Sequence, residues 1–140
     1  MIELANVSIW VIVIAAVIQM AGGAMWYGPL FGKAWMKGMG IDPNDKELMA
    51  EMQKSAGPAY GASLVFAIIF GYAIDLLFNH IPIASLTIAI FWTLLLYVAF
   101  TFANTIKGVL WGEISKSVFI INTGFEVVFF LIVGVCAYLM

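Results

Sequence analysis

Between Ala59 and Ile106 the chain reads AYGASLVFAIIFGYAIDLLFNHIPIASLTIAIFWTLLLYVAFTFANTI, a stretch whose sole Asp, Glu, Lys or Arg is Asp75. A helix rising ~1.5 Å per residue needs about 20 apolar residues to cross a hydrocarbon layer of ~30 Å. The stretch holds two such runs, Ala59 to Phe78 and Ile83 to Ile106, divided by Asn79-His80-Ile81-Pro82. So short a connection leaves no slack, and Pro82 suits the first turn of the helix that follows. Helices two and three are therefore expected to be antiparallel neighbours.

Working outward, Val7 to Trp26 and Val118 to Leu139 have the same length and character. A hydrophobic fraction of 64% with 10% charged residues and a mean hydropathy of +1.07 exclude an ordinary soluble domain, which is nearer half apolar and a quarter charged. The predicted fold class is all-α: an integral membrane four-helix bundle forming a single domain over residues 1–140, with spans at about 7–26, 59–78, 83–106 and 118–139. The spans leave no room for a separate soluble domain. Arginine is absent and the net charge is −2, so no basic patch exists for nucleic acid.

The lysines set the expected topology. Lys33, Lys37, Lys46 and Lys54 fall between the first and second runs, and Lys107 and Lys116 between the third and fourth. By the positive-inside rule both lysine-bearing loops are cytoplasmic and both termini outside. Ahead of the first run stands Glu3 and no Lys or Arg; without a positive n-region, that run is read as a retained helix. Cys136 is the sole cysteine, which leaves no intrachain disulfide or thiolate cluster and marks it as a small apolar residue of helix four.

The first cytoplasmic connection, loop 28–57, reads as two amphipathic helices. Pro29 can start the first, which places Leu30, Phe31, Ala34 and Trp35 on one face and Lys33 and Lys37 on the other until Gly38 and Gly40 end it. Asp42-Pro43-Asn44-Asp45 offers an N-cap and a first-turn proline for the second, Pro43 to Ser55, with Leu48, Met49, Met52 and Ala56 on one side. It is expected to lie on the membrane surface or a neighbouring subunit. The second connection repeats part of the first: Gly108-Val109-Leu110-Trp111-Gly112 matches Gly28-Pro29-Leu30-Phe31-Gly32. Either the helical hairpin is duplicated or a Gly- and Leu-rich chain repeats itself by chance.

Lipid-facing surfaces have no use for polar groups, so polar stripes mark buried faces. Helix one carries Gln19, helix two Ser63 and Asp75, helix three Tyr97, Thr101, Asn104 and Thr105, and helix four Asn122 and Glu126. Counted from the inner ends, Glu126 and Gln19 lie roughly 10 to 12 Å deep. Thr101, Ser63 and Asn122 share nearly that level, whereas Asp75 is near the outer end. Ionised burial without a partner costs several kcal/mol, and Lys107 is the one cation able to snorkel upward. Glu126 therefore either glues helices as a neutral acid or serves as a proton or cation site. Asp75 is either a hydrated interfacial acid or an outer-mouth group, and His80 beside it supplies too few ligands for a metal.

Enzyme chemistry is not expected: there is no HExxH, no CxxC, no phosphate-cradling glycine loop and no arginine clamp. No cofactor motif is present. Trp26, Tyr27, Phe31, Trp35 and Trp111 read as an interfacial aromatic belt, or else as a platform for lipid, quinone or pigment.

Trp26-Tyr27-Gly28-Pro29-Leu30-Phe31-Gly32-Lys33-Ala34-Trp35 resembles the signature of the bacterial membrane family called domain of unknown function 1761. Asn104, Gly108 and Phe119-Ile120-Ile121-Asn122 resemble its third and fourth helices, so the likeness covers nearly the whole chain. It implies a multi-pass, four-helix inner-membrane protein and no established activity. Two functions are then open. One is permeation or proton- or cation-coupled transport of a small solute by a homo-oligomer, with Glu126 titrating, Gln19, Tyr97, Thr101, Asn104 and Asn122 as its polar wall and Asp75 at the outer mouth. The other is a non-transporting accessory or scaffold subunit that binds membrane lipid or a larger membrane complex through the two amphipathic helices.

Overall fold

Most helices of this chain start at a side chain that accepts a hydrogen bond from an otherwise orphaned backbone amide. The computed structural model describes residues 6–140, so the start of the chain, on which the placement of the N-terminus turns, lies outside the described residues. The helices are α1 Ile9–Leu30, α2 Gly32–Gly38, α3 Lys46–His80, α4 Leu86–Leu110 and α5 Lys116–Leu139, with no strand among the described residues. Asp45 caps α3 by accepting from the Leu48 amide, and Ser85 and Ser115 cap α4 and α5 in the same way. For α1 the acceptor comes from another helix: Asp75 Oδ2 takes the Ser8 amide at 2.7 Å. At its far end α4 stops at Gly112, whose φ of +71° is a left-handed turn suited to glycine.

Apart from the short α2, each helix is long and apolar enough to cross a membrane, which is the expected all-α, four-span architecture. The connection between the first two spans differs from expectation. No separate surface helix covers residues 43–55; α3 runs unbroken through Pro58. The residue before a proline is usually held out of helical geometry partly by its Cβ, and here that residue is Gly57, which has none. The cap is Asp45 rather than Asp42, because Asp42 Oδ1 is occupied by the Asn44 amide at 2.9 Å. Nor does Pro29 open a helix. It sits in the last turn of α1, a wide π segment from Trp26 to Leu30 closed by the Phe31 amide on the Trp26 carbonyl at 2.9 Å, and the wider turn eases the ring's clash with the preceding carbonyl. α2 packs on the start of α5, so closely that a Cβ on Gly38 would meet Val118 Cγ2 at 2.6 Å.

The core forms around α5, which touches every other helix and buries Val118, Ile121, Phe125, Phe129, Val133 and Ala137 along one stripe. α1 and α3 cross antiparallel where Gly71 brings α3 against the backbone of α1: a Cβ there would lie 3.0 Å from Ala15 Cβ and 3.1 Å from Ile12 Cα. α4 packs on α5 at Gly134, which receives Thr93. Helices α3 and α4 are antiparallel, yet they are not neighbours along their length. Phe130 of α5 stacks 4.4 Å from Phe70 of α3 and T-stacks 5.2 Å from Tyr97 of α4, which holds the two helices apart. A groove of about 310 Å³ between them is lined by Phe70, Leu77, Leu96 and Phe100.

The repeated glycine motif meets a mixed outcome. The shift of eighty positions that puts Gly28 on Gly108 also puts the π segment Ile18–Gly22 of α1 within the π segment Tyr97–Phe102 of α4. The motifs themselves diverge: Gly32 begins a helix, whereas Gly112 ends one.

Candidate functional site

Trp26 and Tyr27 close α1, and both turn inward toward α5. Trp26 Nε1 donates to the Ile121 carbonyl at 2.9 Å, and Tyr27 Oη donates to Asn122 Oδ1 at 2.9 Å. Gly124 makes room for the indole, since a Cβ there would lie 2.9 Å from Trp26 Cζ2. Phe31 stacks back on Trp26 at 4.7 Å, and Trp35 meets Tyr27 edge-on at 6.1 Å. Gly32 is buried with its Cβ direction aimed at the Tyr27 carbonyl. These residues were expected to form an interfacial belt or a platform for lipid, quinone or pigment; within the bundle they clamp the end of α1 on α5. Lys33 remains exposed, as does Trp111, which is 80% accessible.

Above this clamp α1 and α3 touch at Ala15 and Gly71; toward the lysine end they part, and a cleft of about 970 Å³ opens between them. α1 contributes Gln19, Tyr27 and Gly28, and α5 contributes Asn122, Phe125 and Glu126. α2 adds Trp35 and Met36, and α3 adds Met49, Met52, Tyr60 and Ser63. No lysine or histidine lines it. The far end is shut by Val11, Ala15 and Ala67, which are 0%, 0% and 3% exposed. Glu126 stands ten positions beyond the start of α5, about 15 Å along the helix from Lys116.

Half-buried, Glu126 is held from the side opposite the cleft. Tyr97 Oη donates to its Oε2 at 3.2 Å, and Thr105 Oγ1 lies 3.3 and 3.2 Å from Oε1 and Oε2. Thr105 Oγ1 is also 3.1 Å from the Thr101 carbonyl. A hydroxyl has one hydrogen, so two arrangements are satisfied. Thr105 donates to an ionised Glu126, or it donates to the carbonyl and accepts the proton of a neutral Glu126. The site accommodates either charge state with only a hydroxyl rotation. Thr123 Oγ1, buried on the same helix, has no hydrogen-bond partner among the described residues.

Of the residues singled out from sequence, the structure brings Glu126, Gln19, Asn122 and Tyr97 together. Gln19 makes no side-chain hydrogen bond within the described residues and faces the cleft. Thr101 contributes only its carbonyl; its side chain lines the α3–α4 groove. Asn104 is exposed, donating to the Phe100 carbonyl at 2.8 Å and accepting from Lys107 Nζ at 3.2 Å. Lys107 thus does not rise to Glu126. Asp75 is 2% exposed and belongs to the opposite end, where it anchors Ser8 and accepts from Asn79 Nδ2 at 3.4 Å. It is a helix cap supplied in trans, favoured by the positive end of the α1 dipole. Thr105 was read as part of helix three's polar face but not as a partner of Glu126, and the methionine wall was not among the candidates. Met49 and Met52 share a helical face, but nothing in sequence shows that this face closes on Gln19.

The fold and cleft define a class: a small α-helical membrane protein with one acidic side chain, Glu126, lining a half-open cleft. The chain belongs to the family described as Protein of unknown function (DUF1761), whose pattern matches residues 10–138. No curated protein and no solved structure shows detectable similarity to it.

Proposed function

We propose that this protein is a proton- or cation-coupled carrier of a small solute, acting as a homo-oligomer in the inner membrane with the lysine end in the cytoplasm. The observation that carries the reading is Glu126 at the closed end of a cleft, with hydroxyl donors behind it and no lysine or histidine in the cleft. Ionising a carboxyl at this depth costs several kcal/mol, and each hydroxyl donor offsets about 1.5–3 kcal/mol. A proton or cation supplies what remains, and exchanging the two is the elementary step of coupling. The blocked far end argues for alternating access rather than an open pore within one chain. Gly57 and Gly61 meet nothing within 4 Å, a small-residue face that suits close contact with a second copy. Lys33 and Lys37 on α2 suit anionic lipid headgroups.

The test is flux in proteoliposomes under imposed H⁺, Na⁺ or K⁺ gradients. The wild type should move at least one of these ions, and Glu126→Gln should slow it about tenfold or more, the effect of one lost charge-assisted contact. Equal rates would remove Glu126 from the mechanism. The alternative, a non-transporting accessory subunit, is favoured by Leu110 and Trp111 projecting at 73% and 80% exposure from the lysine end. It predicts no flux at all and a co-purifying membrane partner lost in Trp111→Ala.

A further inference from the structure

The cleft's lining is specific enough to name a substrate class. It carries one carboxyl, Glu126, the amides of Gln19, Gln53 and Asn122 and the hydroxyl of Ser63, set among aromatic rings and thioethers. Tyr27 and Trp35, in edge contact at 6.1 Å, line the cleft together with Met36, Met49 and Met52. About 970 Å³ is the size of a drug-sized ligand site and far larger than a bare metal ion fills. An anion would meet Glu126 with no lysine or histidine in the lining to receive it. A neutral apolar molecule would gain nothing from Glu126 or Gln19. Aromatic faces attract organic cations, and methionine side chains repack around irregular apolar bodies.

We propose that the cleft binds hydrophobic monovalent organic cations, with the charged centre at Glu126 and the apolar body against Tyr27, Trp35 and the methionines. The proposal rests on the carrier reading above and adds to it the identity of the cargo. Tyr97 and Thr105 approach Glu126 from α4, on the far side from the cleft, so a carboxylate lone pair remains for the ligand. Gln19 lines the same cleft. Shape selectivity for the apolar body is expected to be low, because the thioethers of Met36, Met49 and Met52 in the lining are flexible.

The test compares two ions of nearly identical shape and opposite charge, tetraphenylphosphonium and tetraphenylborate, by equilibrium dialysis against the intact protein in phosphatidylcholine nanodiscs, with empty nanodiscs as blank. Saturable binding is expected for the phosphonium only, weakened about tenfold or more in Glu126→Gln and partly restored in Glu126→Asp. Met36→Ala/Met52→Ala should weaken the phosphonium without admitting the borate. Saturable binding of both ions to the wild type overturns the proposal without recourse to any variant, as does no saturable phosphonium binding. The carrier reading is judged separately by inorganic ion flux: flux without phosphonium binding sinks this inference alone, and phosphonium binding without flux sinks the carrier.

Discussion

Gly134 and Gly124 show how little separates a close helix contact from a broken one. A Cβ on Gly134 would overlap Thr93 Oγ1 and lie 2.8 Å from its Cγ2, and Thr93 cannot simply turn away because its hydroxyl donates to the Ala89 carbonyl at 2.8 Å. Overpacking of this kind costs about 1–3 kcal/mol. Gly134→Ala should therefore lower the thermal midpoint of the purified protein in detergent, and Thr93→Ala added to it should restore part of the loss. A single variant as stable as wild type would mean that α4 and α5 are not in register at this level. Trp26 makes a second case. Trp26→Phe removes the bond to the Ile121 carbonyl, worth about 0.5–1.5 kcal/mol, and leaves Gly124 uncovered, so its midpoint should also fall. Tyr27→Phe removes one hydroxyl bond without opening space, and its midpoint should fall less. An equal or larger fall for Tyr27→Phe would assign the clamp to the wrong ring.

Element boundaries were legible where a run of apolar residues met a cap, and illegible where tertiary contacts overrode local chemistry. The four spans follow from length alone, and Glu126, Gln19 and Asn122 share a level because depth can be counted along any helix. What counting cannot supply is azimuth. Nothing local says that Trp26 and Tyr27 face α5 instead of the headgroups, or that Asn104 turns out toward Lys107. The π segment Tyr97–Phe102 adds to the difficulty, since a widened turn shifts the face of every residue beyond it. That shift is what lets Tyr97 and Thr105 reach the same carboxyl. Deleting Val98 should return the segment to α geometry and turn Tyr97 off Glu126, which would impair ion flux as severely as Glu126→Gln while leaving the protein folded. Unaltered flux would show that the widening is incidental. Pro58 was the other misleading signal, for it marks no boundary when glycine precedes it. Pro58→Ala supplies the amide that the Lys54 carbonyl lacks, so hydrogen exchange across residues 54–62 should slow; faster exchange would mean that the proline is needed to set the path of α3.

Taken whole, the molecule is two antiparallel hairpins, α1 with α3 and α4 with α5, each crossing at a glycine on its second helix: Gly71 against Ala15, Gly134 against Thr93. The hairpins meet along α5, and the connection inside the first is lengthened by α2 and the extension of α3. That extension makes the site, because it carries Met49 and Met52 past the lysine end of α1 and supplies the cleft with its outer wall. All six lysines lie on this side of the bundle, so the wall and the cleft mouth should face the cytoplasm. Cys136 is the sole cysteine, and a Cys136→Ser background therefore permits single-site labelling. In intact cells a membrane-impermeant maleimide should react with a cysteine placed at Ile83, in the turn opposite the lysines. It should leave one at Lys54 untouched until the membrane is opened. The reverse pattern would put the cleft mouth outside. Glu126 would then meet the proposed ligand from the medium rather than from the cytoplasm.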